Sequence, residues 1–135
     1  MYYKLTTDPI SIEDATSRLN QDGNGALVTF SGHIRPEDSF GNNLSHMEYE
    51  AYAEMAELEL QKIADTIEKR WGVTELVMLH RTGRVEINEP SVVIAVAAGH
   101  RPEAFEACRF AIDELKRTVP LWKHEVLAIA QAQSE

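Results

Sequence analysis

The chain has 135 residues, 44% of them hydrophobic, and this length and composition predict one folded domain over residues 1–135. Its formal net charge of −9 argues against general nucleic-acid binding, which usually requires a basic face. The single cysteine, Cys108, excludes an intrachain disulfide and a multi-cysteine metal centre. The N-terminus carries no signal-peptide core, and the longest apolar run, residues 92–98, is too short to cross a bilayer. We therefore expect a cytoplasmic protein without a membrane span.

Hydrophobic periodicity and turn residues divide the chain into alternating strands and helices. The predicted strands are residues 2–5, 26–35, 46–52, 73–79, 85–87, 92–98 and 122–129. Tight connections are predicted at residues 82–84 and 88–90, and a polar loop at residues 36–43. Strands outnumber helices and several are joined by short turns, which predicts an α+β domain with a mixed, mainly antiparallel sheet.

Three helices are predicted, namely a short N-terminal helix and two main helices. The short one follows a plausible cap at Ser11, the longest covers residues 53–71 with Gly72 at its end, and the third begins near Pro102 and runs to about Thr118. Their apolar spacing predicts which side chains face the core. The predicted buried stripes are Met55, Leu58, Ile63, Ile67 and Trp71 on the long helix, and Phe105, Cys108, Ile112 and Leu115 on the third.

Two lysines flank a helix break near the end of the chain. Lys116 belongs to the last turn of the third helix, where cations are common. Lys123 follows Trp122 in a segment that Pro120 forces out of the helix, so it lies beside an apolar anchor. Two ammonium groups brought together around this break would form a compact cationic pocket, which can hold an anion or serve lysine chemistry.

Two further segments carry cations near backbone turns. His100 and Arg101 join a buried strand to a helix N-terminus, where free N–H groups favour a phosphate, although an ordinary turn with exposed cations is the alternative. Residues 31–35 place His33 and Arg35 at a strand end, and a solvated arginine is the simpler interpretation there. Arg101 and Lys116 are 15 positions apart on one helix, a separation of roughly 22 Å. A site that used both would need a second copy of the chain.

Other reactive residues have simpler structural interpretations. Residues 80–84 are predicted to form a structural hairpin, and Cys108 a small core hydrophobe rather than a nucleophile. The acidic residues mostly fall on wet helix faces, and no spacing among them suggests a metal site or a catalytic carboxylate pair. The sequence therefore predicts no metal and no cofactor.

Several fragments together resemble the large, catalytic subunit of molybdopterin synthase. The resemblance covers roughly residues 25–126 in order and in spacing, and its most specific part is the pair of lysines around Pro-Leu-Trp. The fragments are residues 29–35, 47–52, 80–83, 99–101, 115–116 and 120–125. The resemblance implies an enzyme of molybdenum-cofactor biosynthesis that converts cyclic pyranopterin monophosphate to molybdopterin by inserting two dithiolene sulfurs.

The resemblance also implies partners and site residues. The sulfur donor would be the thiocarboxylated C-terminal Gly-Gly of a small ubiquitin-like subunit, and two large subunits would form the centre of a heterotetramer. Lys116 and Lys123 correspond to the family's catalytic lysines. The substrate site would be lined by His33, Ile34, Arg35, His100, Arg101, Lys116, Lys123, His124 and Glu125.

The chain departs from the family pattern in places, and alternatives to the enzyme remain. Ser31 and Ile34 stand where the family often has threonine and valine. Longer relatives carry a tail with aromatic and basic residues, whereas no basic residue follows His124, so a tail contribution to binding is not expected.

The alternative function is a non-catalytic, dimeric anion-binding or assembly module whose lysines dock an acidic partner tail. A phosphate-ester hydrolase is a weaker one, since no metal cluster or activated nucleophile supports it.

Overall fold

The computed structural model describes residues 1–128 and shows seven strands and three helices there. They are β1 (Tyr2–Thr6), α1 (Ile12–Ser17), β2 (Ala26–His33), β3 (Leu44–Ala51), α2 (Ala53–Trp71), β4 (Glu75–Arg81), β5 (Gly83–Glu86), β6 (Pro90–Ala98), α3 (Arg101–Thr118) and β7 (Leu121–Leu127). The predicted α+β class is confirmed. Residue 129 of the predicted last strand and the C-terminal tail lie outside the described residues.

The strands form two sheets, a division that the sequence analysis did not predict. One sheet has the order β1-β4-β6-β2, and the other has the order β5-β3-β7. Within residues 1–128 the only parallel pair is β1 with β4, so the arrangement is mixed and mainly antiparallel, as predicted. The predicted connection at residues 82–84 was too long, because Gly83 and Arg84 already pair with β3. Thr82 alone makes this turn, with its N–H donated to the Thr6 carbonyl at 2.9 Å.

The main core lies between the four-stranded sheet and the two long helices. Successive strand residues point to opposite faces, so Leu76 and Met78 of β4 pack against this core, whereas Val77 and Leu79 pack in a smaller cluster with Ala15 of α1. β6 is buried on both faces from residue 91 to 98, as its continuous apolar run predicted.

The predicted buried stripes of the helices were partly wrong. Met55, Leu58 and Phe105 are 56%, 58% and 61% exposed. The buried residues are Ala56, Leu60, Ile63, Ala64 and Ile67 on α2, and Ala104, Ala107, Cys108, Ala111 and Leu115 on α3. The two helices pack closely against each other and against the sheet, so small alanines face the core. The larger apolar side chains have the spacing of a helical stripe but remain exposed to solvent.

The start of β2 packs directly on the turn before α3. Gly25 donates its N–H to the Gly99 carbonyl at 3.3 Å, and a Cβ on Gly25 would lie 2.8 Å from that oxygen. We expect Gly25→Ala to lower the free energy of unfolding by about 1–3 kcal/mol, because backbone must shift to relieve the clash. Urea unfolding measures this effect. Gly99→Ala is the matched control, since a Cβ there meets no atom within 4 Å. Equal stability of the two variants would contradict the prediction.

Candidate functional site

A cleft lies where the C-terminal end of α3 meets β6 and the three-stranded sheet. It consists of two adjoining pockets with volumes of about 260 Å³ and 180 Å³. The pockets share Tyr49, Ser91, Val92, Lys116 and Lys123. The first pocket adds apolar walls from the end of α3 and the start of β7, and the second extends toward the end of β2. The cleft thus combines apolar walls with a few cationic and polar groups, an arrangement typical of small-molecule sites.

The backbone brings the two lysines into the same cleft. Lys116 lies in the last turn of α3, and the helix stops when Val119 adopts an extended conformation, with φ −76° and ψ 124°. β7 then runs antiparallel to β3, with Lys123 opposite Tyr49. The break at Pro120 therefore turns a helix end into a strand within a few residues, as the sequence predicted. Neither lysine forms an ion pair with another residue in the range 1–128, so both ammonium groups are available to an anionic ligand.

The end of β2 contributes a second group of predicted site residues. His33, Ile34, Arg35 and Glu125 line the smaller pocket together with the two lysines. The side chain of Ile34 is only 3% exposed and packs with the core of the three-stranded sheet, so Ile34 serves as a wall. His33 and Arg35 are exposed, and a ring nitrogen of His33 lies 2.7 Å from the Ser31 hydroxyl.

His124 does not face the lysines. Alternate strand residues point to opposite faces, and Lys123 and Glu125 face the cleft. His124 instead lies 3.7 Å from the Glu50 carboxylate and lines a separate groove with Trp122 and Tyr52. His124 and Glu125 were predicted to line one site, but they lie on opposite faces of the three-stranded sheet.

His100 and Arg101 lie at the opposite end of α3 from Lys116. His100 is the N-cap residue without a side-chain capping hydrogen bond, and both side chains are exposed. Neither residue lines the cleft of its own chain. The length of α3 therefore separates the predicted phosphate-binding pair from the lysines.

The cleft contains three residues that sequence reasoning missed: Tyr49, His80 and Ser91. His80 is 6% exposed, and burial, together with the charge of Lys116, lowers its pKa to about 4. Its ring makes an edge contact with Tyr49 at a centroid distance of 5.0 Å. The alternation of β4 was an available signal, because it places His80 on the same face as Leu76 and Met78, toward the helices.

The prediction of a hairpin at residues 80–84 was wrong, because β4 and β5 belong to different sheets and do not pair with each other. Cys108 is a buried core residue, as predicted. Arg81 is buried and donates hydrogen bonds to the carbonyls of Thr7 and Arg84 at 3.1 and 3.0 Å. These bonds connect β4 to the residue after β1 and to β5. Burial raises the pKa of the Cys108 thiol to about 11, so the cysteine is a core residue and not an activated nucleophile.

No group of three or more His, Cys, Asp or Glu side chains within residues 1–128 is arranged to hold a metal ion. None of the three helices is long and apolar enough to cross a membrane.

Comparisons with known proteins agree with this architecture. The model of the family described as MoaE protein matches residues 5–118. The chain is 40% identical to the molybdopterin synthase catalytic subunit of Thermoplasma volcanium, over 93% of this chain and 91% of that protein. Molybdopterin synthase from Staphylococcus aureus has a similar crystal structure, with a TM-score of 0.86 and 37% identity over 92% of this chain and 90% of that one.

A more distant structure shows the same fold. It is the protein–protein complex of subunits 1 and 2 of molybdopterin-converting factor from Helicobacter pylori, with a TM-score of 0.73 and 22% identity over 96% of this chain and 91% of that one. The family match and the identity of the Thermoplasma volcanium relative confirm the resemblance drawn from the sequence. The chain therefore belongs to the MoaE protein family.

Proposed function

We propose that the chain is the catalytic subunit of a molybdopterin synthase and transfers sulfur to cyclic pyranopterin monophosphate. A role in molybdopterin synthesis follows from the family and from its curated relatives. The observation that supports the chemistry is the position of Lys116 and Lys123, which face one cleft and form no ion pair within residues 1–128. A pair of uncompensated cations in a partly apolar cleft favours an anionic reactant such as a thiocarboxylate. We place the reaction in the cytoplasm, as the family resemblance implies.

The sulfur donor in this proposal is the thiocarboxylated C-terminal Gly-Gly of a small ubiquitin-like subunit. The thiocarboxylate sulfur bonds to a substrate carbon and displaces an oxygen substituent from it. Water then cleaves the bond between the sulfur and the carrier carbonyl, so that the sulfur stays on the substrate and the carrier leaves as a carboxylate. Both steps develop negative charge on oxygen or sulfur, and the two ammonium groups stabilise that charge. Cys108 is buried with a raised pKa, so it is a poor sulfur carrier, and delivery of sulfur by a partner is consistent with this chain.

The cleft suits a Gly-Gly segment. Its larger pocket is lined by Val92 and Leu115 together with Tyr49 and Lys123. Glycines lack side chains, so an extended diglycine can pass between such walls where bulkier residues would clash. The Helicobacter pylori structure is a complex of two subunits, and we propose a comparable assembly here, with two copies of this chain at the centre of a heterotetramer.

The phosphate of the substrate is proposed to be held by the second copy. Arg35 lines the lysine cleft of its own chain, whereas His100 and Arg101 lie at the far end of α3. The helix separates Arg101 from Lys116 by roughly 22 Å. A two-fold dimer that places the N-terminal end of one α3 near the C-terminal end of the other would join the groups in a composite site.

Mixing two inactive variants tests this composite site. We expect Arg101→Ala and Lys116→Ala to lose activity separately and to recover it when co-expressed, because each mixed dimer then contains one intact site. Random pairing restores about a quarter of the native number of sites. Sulfur-transfer rates of the mixture, after dimer formation is verified by mass, measure the recovery. A mixture as inactive as its components would show that both groups act within one chain, or that Arg101 has no role.

Product formation tests the function itself. The purified chain is mixed with a thiocarboxylated small subunit and cyclic pyranopterin monophosphate, and the dithiolene product is followed by mass spectrometry. The control is the same small subunit with an ordinary C-terminal carboxylate, which carries no transferable sulfur. We expect product only with the thiocarboxylate. Absence of product despite a bound, thiocarboxylated partner would favour the non-catalytic binding module.

A further inference from the structure

His80 is a buried histidine in the wall of the cleft. It lies near the end of β4 on the face that packs against the long helices, and it lines the larger pocket beside Lys116. Only 6% of the residue is exposed. Its Nδ1 lies 2.7 Å from the backbone carbonyl oxygen of Arg81. This contact orients the ring and determines which nitrogen carries the proton.

The Arg81 carbonyl fixes the tautomer of His80. A carbonyl oxygen can only accept a hydrogen bond, so Nδ1 must carry the hydrogen and donate it. In the neutral ring, Nε2 then has a free lone pair and is an acceptor. Nε2 forms no hydrogen bond within residues 1–128, and it is not among the completely enclosed, unpaired polar atoms of that range. The lone pair is therefore open to the cleft.

Two lysines share the pocket with this lone pair, and Lys116 is the one whose charge acts on His80. The titratable residues that share the pocket with His80 are Tyr49, Lys116 and Lys123. Tyr49 meets the imidazole with its ring edge, at an angle of 75° between the ring planes. The hydroxyl of Ser91 already donates to the Gly32 carbonyl at 3.4 Å. Lys116 is the lysine whose charge acts on His80, and its ammonium has no ion-pair partner in the described part of the chain.

We propose that His80 is a positioning residue for sulfur transfer, whose Nε2 accepts a hydrogen bond from the Lys116 ammonium and directs it into the cleft. The inference rests on the proposed function and assigns a role that neither the lysines nor the substrate contacts provide. Lys116 and His80 line the same pocket, and the Lys116 ammonium has no ion-pair partner within residues 1–128. Its flexible four-carbon stem allows the ammonium to turn toward the imidazole.

A neutral acceptor suits this task better than a carboxylate would. A glutamate at the same place would form an ion pair with Lys116, cancel its charge and compete with the anionic thiocarboxylate. The imidazole orients the ammonium and leaves its charge intact. The buried position of His80 keeps the ring unprotonated at neutral pH, so it does not become a third cation in the cleft.

Two substitutions separate the acceptor from the rest of the ring. In His80→Asn, the side-chain amide nitrogen takes the place of Nδ1 and still donates to the Arg81 carbonyl, but no acceptor remains near Nε2. In His80→Gln, the longer amide places an oxygen near the Nε2 position. We expect His80→Asn to lower kcat by about 10-fold or more, with KM within about twofold, because a hydrogen bond to a charged group is lost. His80→Gln should recover most of the rate. Equal losses in both variants, or an unchanged kcat in His80→Asn, would overturn the proposal.

A measurement without turnover separates this inference from the proposed function. Two-bond ¹H–¹⁵N spectra of the histidine rings identify the tautomer and report hydrogen bonding at Nε2. We expect His80 to have its proton on Nδ1, and its Nε2 resonance to move in Lys116→Ala but stay in place in Lys123→Ala. An Nε2 resonance that is the same in the native chain and in Lys116→Ala would refute the hydrogen bond, whatever the activity of the protein.

Discussion

Replacing Lys116 or Lys123 with alanine is expected to lower kcat by about 10²–10³-fold, the effect of removing a preorganised charge from a developing anion. Both ammonium groups line the same cleft and neither is neutralised by an ion pair within residues 1–128. Their charge is therefore fully available to the reacting group. Steady-state rates of dithiolene formation give kcat, and titration with the thiocarboxylated subunit gives the dissociation constant. We expect the partner to bind each variant within a fewfold of its native affinity.

Lys62 provides the matched control for these substitutions. It is a lysine on α2 with a side chain 72% exposed, and within residues 1–128 it pairs only with Glu59 on the same helix. Exposed pairs of this kind contribute little to stability, so Lys62→Ala should retain the native rate. If Lys116→Ala or Lys123→Ala instead weakens partner binding in proportion to its loss of activity, the lysines dock an acidic tail. That result would support the alternative of an assembly module.

Stability is expected to fall by about 2 kcal/mol between about pH 7.5 and about pH 5 because of His80 alone. Burial lowers the pKa of His80 from its ordinary value of 6.5 to about 4 in the folded chain. Between these two values the unfolded chain binds a proton that the folded chain does not. Acid therefore favours the unfolded state, and the contribution of His80 to stability is complete above pH 6.5 and decreases toward pH 4. Urea unfolding at a series of pH values measures this slope.

His80→Asn isolates the contribution of this histidine from that of other titrating groups. Hydrogen bonds lower the pKa values of the carboxyl groups of Asp38, Glu86 and Glu114, and these groups also lose stabilising interactions in acid. They remain unchanged in the variant, so the difference between the native and variant curves reports His80. The two curves should converge as the pH falls from 7.5 to 5. Parallel curves over this range would show that His80 is protonated equally in the folded and unfolded states.

The secondary structure was largely predictable because local signals agreed. Gly72 ends α2 in the left-handed conformation, with φ 66°, and Pro102 lies in the first turn of α3. The packing of the helices was harder to predict. Phe105 and Leu58 fit the helical period, yet the structure buries the alanines beside them. A close approach between helices favours small residues, and a single sequence does not reveal how near its neighbours are.

The candidate site was predictable where it depends on local chain geometry. The helix break at Pro120 correctly indicated that Lys116 and Lys123 converge, and the end of β2 brings Arg35 to the same cleft. The alternation of β4 indicates which face His80 occupies, but His80 was missed because its role depends on α3 placing Lys116 in the same pocket, a long-range packing that periodicity does not show. The separation of Arg101 from the lysines followed from helix length alone.

The passage from α3 to β7 also limits how evolution can alter the lysine pair. Lys116 is oriented by a helix, whereas Lys123 is oriented by a strand in which the side of the sheet changes with every residue. Suppose that one residue is inserted or deleted between the lysines while the first residues of β7 keep their positions beside β3. Lys123 would then move to the face now occupied by His124, and a different side chain would enter the cleft. Length changes of two residues would preserve the side but shift the lysine along the strand. The number of residues between the lysines therefore determines both the face of β7 on which Lys123 lies and its distance from Lys116. We expect the length variation that surface loops tolerate elsewhere to be absent from this segment.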